Sequence, residues 1–284
     1  MTTISENPQQ LPQTTVPSIQ PSGMRAQPSL LDRIVYYCEL IWTLARKEIK
    51  VRYKNNLFGY LWSLANPLAS AFVFYFAFEI IFKSSIPNFV VFLIVGLFVW
   101  QWATNFFIGS CSVYLANGNL IKKAVFPRFV LPIALDMQDA FHFLMSIPVI
   151  FVFLWSHHLS ISPIMLVGIL LILPGQFLFL LGVGFALASI NLFFRDMERI
   201  LQIALNILFY LSPVLYPVDR VPEGYRIFIN LNPMTPVIES WRALFLNSTL
   251  QWSSIGRVYL LAALSLAFGI FIYRRLVSRF AEVL

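Results

Sequence analysis

The chain has 284 residues, of which 58% are hydrophobic and only 12% charged, about half the charged share of a soluble domain. Mean hydropathy is +0.74, and several apolar runs reach about 20 residues, the length of a membrane-spanning helix. A soluble enzyme is excluded, a transmembrane barrel is excluded by the lack of alternating short segments, and the net charge of +7 falls in clusters between apolar runs, where it sets topology rather than pointing to nucleic acid.

Residues 1–28 are rich in Pro, Gln, Ser and Thr and lack an apolar signal-peptide core. They are expected to form a disordered cytosolic tail, leaving 29–284 as the membrane domain. Over 29–50, Leu31, Ile34, Val35, Cys38, Ile41, Leu44 and Ala45 alternate at helical spacing with Asp32, Arg33, Glu39, Arg46, Lys47 and Lys50. That pattern predicts an amphipathic helix lying in the headgroup region, capped by Ser29 with Asp32 in its first turn.

Six spans are expected, at roughly 61–82, 89–108, 132–155, 162–194, 200–216 and 255–273. The run 162–194 contains Pro174-Gly175 but is too short for two crossings and a turn, so it reads as one long span. Between the second and third spans lies a basic segment, 119–132, in which Leu120, Ile121, Val125, Phe126 and Phe129 accompany Lys122, Lys123 and Arg128. A topogenic loop needs only the charges. Large apolar side chains there fit a segment that docks into a partner protein, because a few buried anchors carry most interface energy. With six spans and both termini inside, fifteen of the 20 Lys and Arg residues lie on the inner side, as the positive-inside rule requires. The outer connection 217–254 is expected to hold two short amphipathic helices, one from Pro222 through Asn230 and one opened by Thr235-Pro236 through about Leu246. Both are apolar enough to re-enter the membrane and cover an exit, or to form a lid without a gating role.

No phosphate-binding Gly-rich loop ending in Gly-Lys occurs, so any ATP-driven work must use another chain. Metalloprotease, serine-hydrolase and zinc spacings are also missing. Cys38 and Cys111 lie far apart and read as structural thiols. Asp219 and Glu223 are four apart but form no convincing catalytic pair. Asn247-Ser248-Thr249 matches a glycosylation sequon that arises often by chance. Glu79, within the first span, has Lys83 four residues on, a favourable helical pairing. Asp136, Asp139 and His142 recur every three residues on one face of the third span. Ionisable residues at that depth are functional suspects: they form either a proton relay or a polar stripe facing a wet channel or partner subunit. Rings crowd the first two spans, with Phe72, Phe74, Tyr75, Phe76 and Phe78 in one and Phe98, Trp100, Trp102, Phe106 and Phe107 in the other. Most face lipid or form interfacial belts; a subset could line a path along which apolar sugar faces slide.

Four motifs in order resemble the permease subunit of type-2 ABC exporters of cell-surface polysaccharide, the O-antigen, capsule and teichoic-acid group. They are Arg52-Tyr53-Lys54 with Gly59, Trp62 and Pro67; Asn119-Leu120-Ile121, Lys123, Phe126-Pro127-Arg128, Leu131 and Pro132; Phe194-Arg195-Asp196 followed by Ser212-Pro213-Val214, Tyr216 and Pro217; and Asn232-Pro233, Thr235-Pro236 and Arg242. Asn56 and Phe58 stand where the family usually has Ser and Leu. The resemblance implies a homodimer in the bacterial inner membrane, two ATPase subunits on the cytosolic side, no cofactor or metal of its own, and a lipid-linked polysaccharide as substrate, most directly O-antigen. It implies ATPase coupling through Asn119, Leu120, Ile121, Lys122, Lys123, Phe126, Pro127 and Arg128, and gate helices within 222–246. Channel and gate residues are expected among Trp62, Tyr75, Trp100, Trp102, Glu239, Trp241, Arg242 and Phe245. A proton-coupled secondary transporter, motivated by Asp136, Asp139 and His142, is the competing reading, although no internal repeat supports it. A membrane-embedded enzyme acting on lipid-linked sugar lacks a carboxylate pair.

Overall fold

The computed structural model describes residues 29–53, 61–81, 86–123 and 126–280; the tail expected over 1–28 lies outside them. Ten α-helices and no strands occur among the described residues: α1 Leu30–Tyr53, α2 Leu61–Tyr75, α3 Phe89–Ala116, α4 Gly118–Lys123, α5 Val130–Ser156, α6 Ile164–Phe193, α7 Met197–Leu211, α8 Glu223–Leu231, α9 Met234–Asn247 and α10 Trp252–Leu276. Among the described residues, five stretches are long and apolar enough to cross a membrane: Leu64–Ile81, Phe89–Ala116, Val130–Ser156, Ile164–Phe193 and Trp252–Arg279. The protein is an all-helical integral membrane protein.

The central helix is α3, apolar all round and buried from Val91 through Trp100, as a helix surrounded by others must be. It packs on α2, α5, α6, α7 and α9. The closest pair is α6 with α10. A Cβ at Gly269 would overlap the Gly182 carbonyl, and one at Gly182 would meet the backbone of Ser265 and Leu266. Small residues let membrane helices approach this closely. The segment around Pro174 is one continuous helix, because membrane helices absorb a proline where neighbours satisfy the freed backbone. The first span ends as a π-helical turn over Phe76–Ile81. Its Glu79 lies there, while Lys83 is outside the described residues.

The interfacial pattern folds as α1. Ser29 Oγ accepts from the Asp32 N–H at 3.1 Å, and the Asp32 carboxylate accepts from the Ser29 N–H at 2.9 Å, a reciprocal capping box. Several boundaries differ from expectation, and the second span, expected to end at 108, continues as α3 to Ala116. The helix expected over 200–216 stops at Leu211, where Ser212 turns extended; its 15 residues span about 22 Å, less than the hydrocarbon thickness of about 30 Å. Helix α9 starts at Met234, with Pro233 at its cap position. The Thr235 hydroxyl is drawn away from capping because it donates to the Ile229 carbonyl at 2.6 Å, tying α9 back to α8.

Candidate functional site

An open groove of about 530 Å³ runs between α2, α3 and α7. From α2 come Asn66, Pro67, Ser70 and Phe74, from α3 Leu97, Trp100, Gln101, Thr104 and Asn105, and from α7 Asn206, Phe209 and Tyr210. The α3 set falls at spacings of three and four, so one helical face builds one wall. Phe209 joins the walls, 5.9 Å from Phe74 and 5.7 Å from Trp100, ring centre to ring centre. The surface combines amides and hydroxyls with aromatic faces, inside helices otherwise apolar. Neutral amides and hydroxyls both donate and accept, so such a wall can exchange hydrogen bonds with a moving polar chain without holding it by charge. The outer flanks are apolar and exposed, with Phe72 and Val73 on α2, Phe76 and Ile80 on the π-helical turn that follows it, and Ile200, Ile203, Ile207 and Leu211 on α7.

Behind this wall lies the stripe of α5. Asp136, Asp139 and His142 are buried against α3. The Trp102 indole N–H donates to Asp136 Oδ1 at 3.0 Å. Asp139, His142 and Ser146 share with Gln101 and Asn105 a cavity of about 20 Å³, room for about one water. Gln101 and Asn105 therefore touch both the groove and this inner polar pocket. The stripe faces the back of the groove wall.

At the end of the molecule near the α9–α10 link, two motifs that stand apart in sequence meet. Asn232 Nδ2 donates to Ser212 Oγ at 2.8 Å and to the Leu211 carbonyl at 3.3 Å. The Arg242 guanidinium donates to the carbonyls of Pro213, Val214 (2.5 Å) and Phe92 (3.2 Å) and lies 3.3 Å from the centre of the Phe92 ring. A Cβ at position 96 would sit 2.5 Å from Arg242 Nη2, so Gly96 makes room for the guanidinium. The elbow after α7 is thus locked to α9 and α3. Glu239 pairs with Arg257 of α10 at 3.1 Å; burial raises its carboxyl above the ordinary value, opposed by Arg257. Trp241 donates to Gln176 Oε1 at 2.7 Å and stacks with Phe245, 5.7 Å between rings.

Residues 39–246 match the family model described as ABC-2 type transporter, most of the chain. The chain belongs to the ABC-2 transporter family. It is 42% identical to the O-antigen export system permease protein RfbA of Klebsiella pneumoniae, over 88% of this chain and 96% of the relative. It is 30% identical to the protein of the same name from Myxococcus xanthus, over 76% and 84%. The polysialic acid transport protein KpsM of Escherichia coli is 23% identical over 80% and 90%.

Within this ABC-2 chain the residues singled out by sequence separate in space. Trp100 lines the groove. Tyr75 is half-buried one residue past Phe74, at the end of α2, and the Trp62 side chain lies outside the described residues. Trp102, Trp241 and Phe245 are interior and part of the core. There Trp102 stacks on Phe143 at 5.2 Å, and Phe143 meets Trp241 edge-on at 4.8 Å. Helix α9, expected to turn its apolar stripe back into the membrane, packs that stripe into the core: Val237, Ile238, Trp241, Leu244 and Phe245 are all fully buried. Its apolar stripe found protein rather than lipid.

The basic segment is also tied inward. Leu120, Ile121 and Phe126, expected to point at a partner, are half-buried against a second core built from Leu44, Ala45, Tyr114, Leu131 and Phe280. A six-residue helix such as α4 gains most of its stability from such packing. Asn119, Lys122 and Lys123 form its exposed edge. Arg128 donates to the Val277 carbonyl at 2.7 Å and lies 5.6 Å from the Phe280 ring centre; Pro127 precedes it half-buried. Sequence reasoning missed Asn206, Phe209, Gln101 and Asn105. Their signal was present as polar and aromatic positions at spacings of three and four, but no lone residue among them is unusual.

Proposed function

We propose that this chain is the membrane subunit of an ATP-driven exporter that carries a lipid-linked polysaccharide, O-antigen foremost, across the bacterial inner membrane. The observation that carries the reading is the groove between α2, α3 and α7. It offers a hydroxyl-rich polymer amides to exchange with and rings for its apolar faces, within a membrane domain whose relatives are named for O-antigen export and polysialic acid transport. The chain acts as a homodimer, its groove closed by a second copy across the apolar flanks of α2 and α7. The elbow after α7 completes a sixth crossing, both termini are cytosolic, and α8 with α9 bounds the outer exit. ATP hydrolysis belongs to a separate pair of ATPase subunits seated at α4, since the sequence holds no phosphate-binding loop. The Asp136–His142 stripe then serves the groove wall rather than a proton pathway.

The test is to purify the chain with the ATPase encoded beside it and identify the bound glycan by mass spectrometry. A lipid-linked polysaccharide in the wild-type complex, depleted by Gln101→Leu with Asn105→Leu, supports the reading. A complex that binds no glycan, or a chain that moves substrate on a pH gradient without an ATPase, contradicts it. Capsule export, favoured by a 24% identity to the capsule polysaccharide export inner-membrane protein CtrC of Neisseria meningitidis, is distinguished by the glycan recovered.

A further inference from the structure

Beyond the groove, the end of the molecule bearing the α9–α10 link carries a second polar hollow. A cleft of about 500 Å³, within the usual range for small-ligand sites, is lined among others by Asp219, Glu239, Arg242, Asn247, Thr249 and Gln251. It continues into a hollow of about 440 Å³ that shares Asp219, Arg242 and Asn247 and adds Asn88 and Arg220. Its floor is fixed. Arg242 is only 7% exposed and held by backbone carbonyls, and Glu239 is held by Arg257 and Ser254. Its rim is available. Among the described residues, none hydrogen-bonds the Asp219 carboxylate or the side-chain amides of Asn247 and Gln251.

The lining charges balance. An anion entering would face Asp219 and Glu239, and a cation would face Arg242 and Arg220. No grouping that could hold a metal occurs among the described residues. What the surroundings suit is a neutral polyhydroxyl ligand, able to donate to the carboxylate and exchange both ways with two amides. We propose that this cleft is a second glycan-binding site, separate from the groove, that holds a short stretch of sugar units as the polymer emerges. The proposal rests on the polysaccharide reading above.

The experiment uses the full chain with its ATPase in phospholipid nanodiscs, with Cys38 and Cys111 replaced by Ser. One version carries Gln251→Cys, and a control carries Glu223→Cys on exposed α8. The probe is lipid-free oligosaccharide released by mild acid from the producing strain's own surface polysaccharide. Maleimide labelling at position 251 should slow several-fold with oligosaccharide, labelling at position 223 should not change, and the protection should vanish when Asp219→Asn and Asn247→Ala are added. Equal labelling rates with and without oligosaccharide, or protection that survives both added substitutions, overturns the proposal. ATP-driven export by the unsubstituted complex is measured in parallel. Intact export without protection sinks the cleft alone, whereas failed export sinks the exporter reading while the labelling still decides the cleft.

Discussion

Arg242 shows how one side chain can fix three segments. Its guanidinium holds the Pro213 and Val214 carbonyls and covers the Phe92 ring. Removing a donor from a buried acceptor costs about 1–3 kcal/mol, so Arg242→Met should lower the thermal midpoint of the detergent-purified protein by several degrees. Gly96→Ala should do the same by steric conflict with Nη2, although it deletes nothing. A midpoint unchanged in both variants would remove the lock from the account. Trp102 and Asp136 invite a double-mutant cycle. Trp102→Phe keeps the stack on Phe143 but orphans a buried carboxylate oxygen, whereas Trp102→Phe with Asp136→Leu leaves no polar atom to satisfy. The double variant should be more stable than the sum of the single losses; strict additivity would mean that the hydrogen bond contributes nothing.

Among elements, the clearest prediction concerns the tie between the basic segment and the end of α10. Phe280 is fully buried, 4.8 Å from the Tyr114 ring and 6.0 Å from that of Tyr273, and Arg128 lies over it. Phe280→Ala should leave the exposed α4 edge of Asn119, Lys122 and Lys123 able to bind the ATPase, yet weaken transmission to α10. Co-purification of the ATPase should persist while export falls; loss of both together would show that the tie only holds the fold. Much of this level was legible in sequence. The cap of α1 follows from Ser29 and Asp32, and α6 stays whole because one proline in a long apolar run does not end a membrane helix. What an apolar stripe touches was less legible, for a physical reason. Lipid tails are as apolar as leucine, so an apolar stripe does not tell whether it meets lipid or protein. Hence the apolar stripe of α9, expected to re-enter the membrane, packs as core with Trp241 and Phe245, and Leu120, Ile121 and Phe126, expected to seat in a partner, lie half-buried against their own chain. The groove was illegible for another reason: its walls come from α2, α3 and α7, and only tertiary packing brings Asn206 and Phe209 to Trp100 and Gln101.

For the whole molecule, the proposed six crossings with both termini cytosolic fix one orientation. In a background without native cysteines, an impermeant maleimide applied from outside intact cells should label Glu223→Cys and miss Ser278→Cys; labelling at 278 would invert the proposed topology. The central claim is that polymer travels along the groove under ATP power. The most direct measurement places a photo-crosslinking amino acid at Phe209, inside the groove, and at Leu264, an exposed residue of α10, in cells making the glycan and the ATPase. The account predicts that glycan is captured at position 209 and not at 264, and only while the ATPase is catalytically intact. Capture at 264 without capture at 209, or equal capture at 209 with an inactive ATPase and with an active one, would contradict it.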